Sequence, residues 1–159
     1  MSQKLSASAQ KVQKALEELD MQLEVIELPG STRTAVEAAQ AIGCQVGQIV
    51  KSLIFKGKRS KQPVLVLASG PNRVNEKKIE SLIGEPLGKA NADFVRQHTG
   101  FAIGGVPPLG HSEKLRTYID QDLLQHTTIW AAAGTPHAVF QLKSQDLVNV
   151  TSGEVIDIK

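Results

Sequence analysis

The sequence predicts a mixed fold of helices and strands, either α+β or α/β, and we favour α+β. Amphipathic helical segments are inserted between strand-like apolar runs. Several of those runs follow one another with no helix between them. This order does not alternate regularly enough for a doubly wound parallel sheet. The length of 159 residues is typical of one domain, which we expect to span 1–159.

The first predicted elements are a helix and a strand. In the helix, over 8–20, the apolar residues Val12, Leu16 and Leu19 recur at i, i+4 and i+7, and charged residues occupy the opposite face. The segment 23–28 is rich in apolar residues and ends at a Pro-Gly pair, which predicts a short strand.

Capping and turn residues mark the next group of elements. Thr34 and Glu37 have the spacing of a capping box, which predicts a helix over 34–42. Asn75 is placed to cap a second helix. From 34 to 100 we expect helices over 34–42, 76–83 and 91–99, strands over 49–56 and 63–68, and a basic hairpin turn over 56–62. The uninterrupted apolar run 63–68 favours a central strand.

The C-terminal third is predicted to be richer in strands. A loop rich in glycine and proline over 101–111 precedes it. We expect strands over 115–119, 128–133, 137–142 and 155–158, a short helix near 120–126, and one helical turn capped by Ser144.

Composition narrows the function classes. Cys44 is the one cysteine, so an intrachain disulfide and a cysteine-rich zinc site are excluded. No apolar run approaches the ~20 residues that span a bilayer, and a cytoplasmic location is expected. The net charge of +2 and the pI of about 8.7 permit an acidic partner such as RNA but do not require one. The basic cluster of 56–61, with Arg73, Lys77 and Lys78, is either a phosphate-binding patch or solvated surface.

Several common catalytic motifs are absent from the sequence. It contains no Gly-rich phosphate loop, no dinucleotide-binding turn and no G-x-S-x-G nucleophile elbow. No two of its four histidines have metal-ligand spacing on one helix face.

Three segments remain as candidate sites, each with a structural alternative. The loop from Gly104 to His111 could present fixed N–H donors to a carbonyl or could be a tight turn. The segment from Gly134 to His137 could line the same pocket or could be a hairpin turn. Lys51, inside an apolar stretch, could lie in a cleft and attract an anionic group, or could lie on a solvated face.

Taken in order, these segments resemble the YbaK/ProX family of aminoacyl-tRNA editing domains. The resemblance begins at Ser31-Thr32-Arg33-Thr34 and continues through Ile49-Val50-Lys51-Ser52-Leu53 and the 104–111 loop. It ends with Tyr118-Ile119-Asp120 and Gly134-Thr135-Pro136-His137. The family includes free-standing deacylases and the insertion domain of bacterial prolyl-tRNA synthetases.

The resemblance implies a compact α+β domain with a mixed, barrel-like sheet flanked by helices. It also implies a trans-editing hydrolase that removes a small wrong amino acid, alanine, cysteine or serine, from tRNA(Pro) without a cofactor. The catalytic positions it implies are Lys51, Gly104, Gly105 and Pro107. The substrate-binding positions it implies are Thr32, Thr34, Pro108, Gly110, His111, Gly134 and His137.

An aminoacyl ester is already activated, so a positioned water or ribose hydroxyl beside a polarised carbonyl could suffice. Substrate-assisted hydrolysis is the favoured mechanism, with His137 or His111 as general base the alternative. The modest charge predicts that the domain binds only the acceptor end of aminoacyl-tRNA, with a prolyl-tRNA synthetase complex as a further expected partner. No feature of the sequence requires an interface, so we expect a monomer. Two other functions stay open: a non-catalytic module that binds tRNA or an amino acid, and a hydrolase of another small activated ester.

Overall fold

The computed structural model describes residues 5–159, which contain five α-helices and eight β-strands. The helices are α1 Ala7–Glu18, α2 Ala35–Ile42, α3 Glu76–Ile83, α4 Ala92–Thr99 and α5 Ser144–Thr151. The strands are β1 Ile26–Glu27, β2 Ile49–Gly57, β3 Pro63–Ser69, β4 Leu87–Gly88, β5 Arg116–Asp120, β6 Thr128–Ala132, β7 Ala138–Lys143 and β8 Glu154–Ile156. Short 3₁₀ turns cover Val46–Gln48 and Gln121–Gln125. Within the described range, no helix combines the length and apolarity needed to cross a bilayer.

All eight strands belong to one mixed sheet in the order β1-β7-β6-β2-β3-β5-β8, and β4 adds to β2. The pairs β1–β7, β6–β7, β2–β3 and β2–β4 are antiparallel. The pairs β2–β6, β3–β5 and β5–β8 are parallel. The prediction of an α+β fold with a mixed sheet flanked by helices is confirmed.

The central strand β3 is buried along its whole length because both faces of the sheet are covered there. On one face, Leu65 and Leu67 pack in the main core with Val12 and Leu16 of α1. On the other face, β3 packs against Ile79 of α3 and Tyr118 of β5 in a smaller cluster. This two-sided burial explains why the sequence of β3 is continuously apolar.

Most predicted helix boundaries agree with the structure because the capping side chains form the expected bonds. The Thr34 hydroxyl accepts the backbone N–H of Glu37 at 3.1 Å. Only half of the predicted capping box forms, because the Glu37 carboxylate accepts the Thr34 hydroxyl at 3.0 Å. Asn75 caps α3, and Gly84 ends it in the left-handed conformation.

Two segments near the N-terminus differ from the prediction. Helix α1 ends at Glu18, and Asp20 has a φ of 58°, which turns the chain out of the helix. The strand predicted over 23–28 is reduced to Ile26–Glu27. Its first residues are held instead by the side chain of Gln13, which donates to the Leu23 carbonyl (3.0 Å) and accepts from the Val25 N–H (2.8 Å).

The segment after Ser144 also differs, because it forms the eight-residue helix α5 and not a single turn. Ser144 does not cap this helix. Its hydroxyl donates to the carbonyl of His126 at 2.6 Å, which ties the start of α5 to the loop before β6.

Candidate functional site

The candidate site is a cleft of about 730 Å³ beside the first half of β2. Strand β2 pairs with β6 only at Ile49 and Val50, and it pairs with β4 only from Lys56 onward. The cleft lies along residues 49–53, which include the two residues paired with β6 and the three that follow them. Its walls are the start of α2 with the preceding loop, the first half of β2, and the loop that begins at Ile103.

Lys51 lies in this cleft, which decides between the two environments that the sequence left open. Its side chain is half-buried, and its Nζ donates a hydrogen bond to the backbone carbonyl of Asn72 at 2.6 Å. Burial lowers the pKa of Lys51, and the positive charge of Arg73 lowers it further, whereas the negative charge of Asp120 opposes both. Within residues 5–159, no carboxylate forms an ion pair with Lys51.

Thr32 and Thr34, both predicted to bind substrate, line the same cleft in different ways. Thr34 is exposed, and its hydroxyl is already engaged as the cap of α2. Thr32 is only 8% exposed, and its N–H donates to the Pro136 carbonyl at 2.6 Å. The Thr32 hydroxyl is buried without a hydrogen-bond partner.

A second orphaned hydroxyl belongs to Ser52, which follows Lys51 on β2 and also lines the cleft. A buried hydroxyl without a partner costs about 1–3 kcal/mol. Two such groups in one cleft are explained if a bound ligand supplies their partners. Sequence reasoning did not select Ser52, because a serine in an apolar strand carries no signal that distinguishes it from a surface residue.

The glycine-proline loop contributes Gly104 to the cleft, and Gly105 fixes the position of the loop from behind. The Gly105 N–H donates to the Ala102 carbonyl (3.1 Å), and the Gly105 carbonyl accepts the N–H of Gly134 (2.8 Å). A Cβ on Gly105 would lie 2.7 Å from the backbone of Gly134 and Thr135. The predicted loop at Gly134 therefore packs directly behind the glycine-proline loop.

Seven of the eleven predicted site residues lie outside the lining of the cleft: Gly105, Pro107, Pro108, Gly110, His111, Gly134 and His137. Pro107 is buried, and its carbonyl is 2.6 Å from Nε2 of His111. Pro108, Gly110 and His111 line a different groove, next to α5. Burial lowers the pKa of His111, although its hydrogen bond to Pro107 partly opposes that effect.

His137 is exposed, and its Nδ1 lies 3.0 Å from the carbonyl of Gly30. It is not among the residues that line the cleft. Its backbone carbonyl accepts the N–H of Leu28 at 2.8 Å, so its backbone helps to hold the chain that leads into the Thr32 segment.

The basic residues predicted as a phosphate patch are divided between two places. Lys56 lies over the ring of Phe94 at 5.1 Å, near the exposed β2–β3 turn. Arg73 lies with Lys51 in a smaller groove that adjoins the cleft, and Lys78 pairs with Asp157 at 3.4 Å. In the described part of the chain, no group of three His, Cys, Asp or Glu side chains could hold a metal ion.

Comparisons with known proteins identify the family of this chain. The sequence pattern of the family described as "Aminoacyl-tRNA editing domain" matches residues 30–150. An uncharacterized protein of Bacillus subtilis (strain 168), YwhH, is 30% identical over 136 residues, which are 85% of this chain and 86% of YwhH. A proline–tRNA ligase of Limosilactobacillus fermentum is 35% identical over 99 residues, 60% of this chain and 17% of the ligase.

Two further relatives carry names that refer to editing. EbsC of Enterococcus faecalis, named "Putative Cys-tRNA(Pro)/Cys-tRNA(Cys) deacylase", is 24% identical over 79% of this chain and 76% of its own. A crystal structure described as "a putative trans-editing enzyme for prolyl tRNA synthetase" is 52% identical, with a TM-score of 0.92 over 98% of this chain and 99% of that one. The match over 30–150, which includes every lining residue of the cleft, shows that this chain belongs to the aminoacyl-tRNA editing domain family.

Proposed function

We propose that this protein is a trans-editing deacylase that hydrolyses the ester of mischarged aminoacyl-tRNA. The proposed substrate is tRNA(Pro) that carries alanine, cysteine or serine. The observation that carries this proposal is the cleft itself. It combines an ammonium without a carboxylate partner, two orphaned hydroxyls and a glycine loop within one apolar enclosure.

The composition of the cleft suits a small aminoacyl group attached to a nucleotide. Its volume of about 730 Å³ is within the range of ~300–1,000 Å³ that is usual for small-molecule sites. Most of its lining is aliphatic, including Ile49, Ile103 and Val106. Polar groups are few, and their positions can therefore fix the orientation of the ester.

The proposed reaction needs no protein nucleophile. Water adds to the ester carbonyl carbon, the bond from that carbon to the ribose oxygen breaks, and the proton lost by water passes to the departing oxygen through the neighbouring ribose hydroxyl. The products are a free amino acid and uncharged tRNA. The protein lowers the barrier by holding the ester and the water in a reactive arrangement.

Lys51 would supply the positive charge, either to a phosphate of the tRNA 3′ end or to the oxygen on which charge develops. Its hydrogen bond to a neutral carbonyl orients the ammonium without neutralising it. Gly104 would contact the acyl group, since it lines the cleft and the Gly105 N–H is already donated to Ala102. Thr32 and Ser52 would bond to polar atoms of the aminoacyl group.

Arg73 lies beside Lys51, whereas Lys56 lies over the ring of Phe94, so the positive charge next to the cleft is limited. We therefore expect the protein to bind the acceptor end of tRNA. We expect it to act as a monomer in the cytoplasm. The names of EbsC and of the solved trans-editing structure support tRNA(Pro) as the substrate and prolyl-tRNA synthetase as the enzyme whose errors are corrected.

A deacylation panel tests this function. tRNA(Pro) is charged separately with alanine, cysteine, serine and proline, and loss of the ester is followed with the wild-type protein, Lys51→Ala and Lys14→Ala. Lys14 lies on the exposed face of α1 and is the matched control. We expect rapid loss of one mischarged species, slow loss of the proline ester, a slow Lys51→Ala variant and a normal Lys14→Ala variant.

Other outcomes would assign a different function. Equal hydrolysis of free aminoacyl esters and aminoacyl-tRNA would favour a general esterase. Binding of tRNA(Pro) with no ester loss from any species would reject the deacylase and favour a non-catalytic binding module.

A further inference from the structure

We propose that Asp120, acting through Asn72, is a positioning residue for Lys51. This inference deepens the proposed function and rests on it. Asp120 ends β5, which lies two strands away from β2 in the sheet order, and it is not among the residues that line the cleft. Its influence on the cleft is therefore indirect.

Asp120 is a completely buried carboxylate. One of its oxygens, Oδ2, accepts the backbone N–H of Ser69 at 2.9 Å and the side-chain amide of Asn72 at 2.8 Å. Its other oxygen, Oδ1, accepts the backbone N–H of Asp122 at 2.9 Å. Burying a charge is costly unless it is hydrogen-bonded, so a carboxylate with three donors and full burial requires a structural or functional reason.

The bonds of Asp120 hold both ends of one turn. Ser69 ends β3, and the N–H of Asn72 donates back to the Ser69 carbonyl at 2.9 Å, which closes the turn over 69–72. Oδ2 of Asp120 bonds to the backbone at the first residue of this turn and to the side chain at the last. The side-chain amide of Asn72 also donates to Asp122 at 2.7 Å, which fixes it from a second side.

The turn supplies the acceptor for Lys51. The Nζ of Lys51 donates to the Asn72 backbone carbonyl at 2.6 Å, and this carbonyl belongs to the residue whose side chain Asp120 holds. A lysine has a long, flexible stem, so a fixed acceptor at its end determines where the charge lies. The path from Asp120 through Asn72 to Lys51 consists of two hydrogen bonds and one residue.

Asp120 also acts on Lys51 through its charge. The groups around the ammonium are Arg73, which follows Asn72 in the same groove, Glu76 at the start of α3, and Asp120 behind the turn. Asp122 accepts a hydrogen bond from the Asn72 side chain and is paired with Lys159 at 3.1 Å. Burial and Arg73 lower the pKa of Lys51, and Asp120 raises it, so Asp120 helps to keep the ammonium protonated.

The test compares Asp120→Asn, Asn72→Ala and Arg73→Gln with the wild-type protein. Asp120→Asn keeps the side-chain shape but replaces one acceptor oxygen by an amide group and removes the charge. Asp157→Asn, which removes an exposed carboxylate paired with Lys78, is the matched control. Each variant is first checked for a cooperative thermal transition, so that only folded protein is compared.

The first readout is the pH titration of the Lys51 Cε resonance by NMR, which does not depend on any activity. We expect the pKa of Lys51 to fall in Asp120→Asn, because burial and Arg73 then act unopposed, and to rise in Arg73→Gln. Asn72→Ala retains the Asp120 charge, so its main effect should be a less ordered Lys51 side chain. Asp157→Asn should titrate like the wild type.

The second readout is deacylation. We expect kcat to fall roughly 10- to 100-fold in Asp120→Asn and Asn72→Ala, as for misplacement of a catalytic group, with little change in KM. The alkaline limb of the pH profile should move to lower pH in Asp120→Asn only. A purely structural role would lower thermal stability and leave the kcat and pH profile of the folded protein unchanged.

A folded Asp120→Asn variant with the wild-type Lys51 titration and the wild-type kcat would overturn the proposal. If no species of aminoacyl-tRNA is hydrolysed by the wild-type protein, the deacylase function fails, and the NMR titration still decides whether Asp120 controls Lys51.

Discussion

The two orphaned hydroxyls are the residue-scale feature that separates a ligand site from an ordinary cleft. Thr32 and Ser52 are both buried without hydrogen-bond partners, and both line the cleft that contains Lys51. In the protein without ligand they destabilise the fold, because each has lost its hydrogen bonds to water. The proposed function accounts for both hydroxyls, because polar atoms of the aminoacyl group would supply the missing partners.

Thr32→Val tests this explanation, since valine has nearly the same shape but lacks the hydroxyl. We expect the free energy of unfolding to stay constant or to rise by about 1 kcal/mol. We expect kcat/KM for deacylation to fall about tenfold, equivalent to one lost hydrogen bond of about 1.4 kcal/mol. Chemical denaturation and single-turnover kinetics measure the two quantities.

Thr151→Val is the matched control for Thr32→Val. The Thr151 hydroxyl donates to the Leu147 carbonyl at 2.7 Å and accepts the N–H of Gly153 at 3.2 Å. Its loss should lower stability by about 1 kcal/mol and leave deacylation unchanged. Equal losses of activity in both variants would contradict a ligand-binding role for Thr32.

His111 gives a pH dependence of stability whose sign follows from its environment. Burial lowers its pKa in the folded state below the usual 6.5. The unfolded chain therefore binds more protons than the folded one as pH falls below about 6.5. Stability due to neutral His111 is complete above that pH and is lost as pH decreases toward the folded-state pKa.

His111→Gln should remove this component. Thermal unfolding between about pH 7 and pH 5 should show a smaller decrease of Tm for the variant than for the wild type. Parallel curves would contradict the buried neutral histidine. The same variant should retain deacylation, because the groove of His111 is separate from the cleft.

At the scale of elements, the decisive contact is the one between the glycine-proline loop and the turn before β7. Gly105 allows the two backbones to approach, and Gly134 is itself packed against α1, where a Cβ would lie 2.6 Å from the Ser8 carbonyl oxygen. The glycine-proline loop therefore packs against the turn before β7, and that turn packs against α1. Gly104 of the same loop lines the cleft.

Gly105→Ala should separate these two loops. A Cβ only 2.7 Å from backbone atoms that cannot rotate away should cost about 1–3 kcal/mol of unfolding free energy. We expect deacylation to fall as well, because Gly104 moves with the loop. Urea denaturation and the deacylation rate are the measurements.

Gly88→Ala provides the comparison, since its Cβ would meet its nearest neighbour at an ordinary 3.6 Å. It should change stability by less than about 1 kcal/mol and leave activity intact. A Gly105→Ala protein as stable and as active as Gly88→Ala would show that the close approach does not matter.

Sequence patterns predicted individual elements better than their ends. The helices α2 and α3 were predicted from their local caps, Thr34 and Asn75, and the structure shows that Asn91 caps α4 in the same way. The strand over 23–28 was predicted too long, because the Gln13 side chain binds its backbone across the fold. Such a bond depends on tertiary structure, which a local pattern does not contain.

At the scale of the whole molecule, the sheet order explains how distant segments form one cleft. Strand β2 lies between β6 and β3, so parallel and antiparallel neighbours meet at the strand that carries Lys51. The order β6-β2-β3-β5 does not follow the chain, and no local pattern in the sequence indicates it. The resemblance to a family, and not periodicity, placed Thr32, Lys51 and Gly104 together.

The family resemblance did not separate the residues that line the cleft from those that support it. The resemblance selected Gly105, Pro107 and Gly134 along with Gly104, but none of these three lines the cleft. Gly105 and Gly134 pack against each other behind it, and the Pro107 carbonyl contacts His111. It did not select Ser52, Asn72 or Asp120 for a role, because their importance arises from burial and hydrogen bonding across separate strands.

We propose that the Lys51 cleft receives the aminoacyl end of tRNA. The most direct test is NMR mapping of the backbone amides during titration with a non-hydrolysable alanyl-adenosine amide, the analogue of the 3′ end. We expect shifts concentrated at Thr32, Ser52 and Gly104, and their loss in Lys51→Ala or Thr32→Val. Shifts concentrated at Gly110 and His111, with the cleft unperturbed, would contradict it.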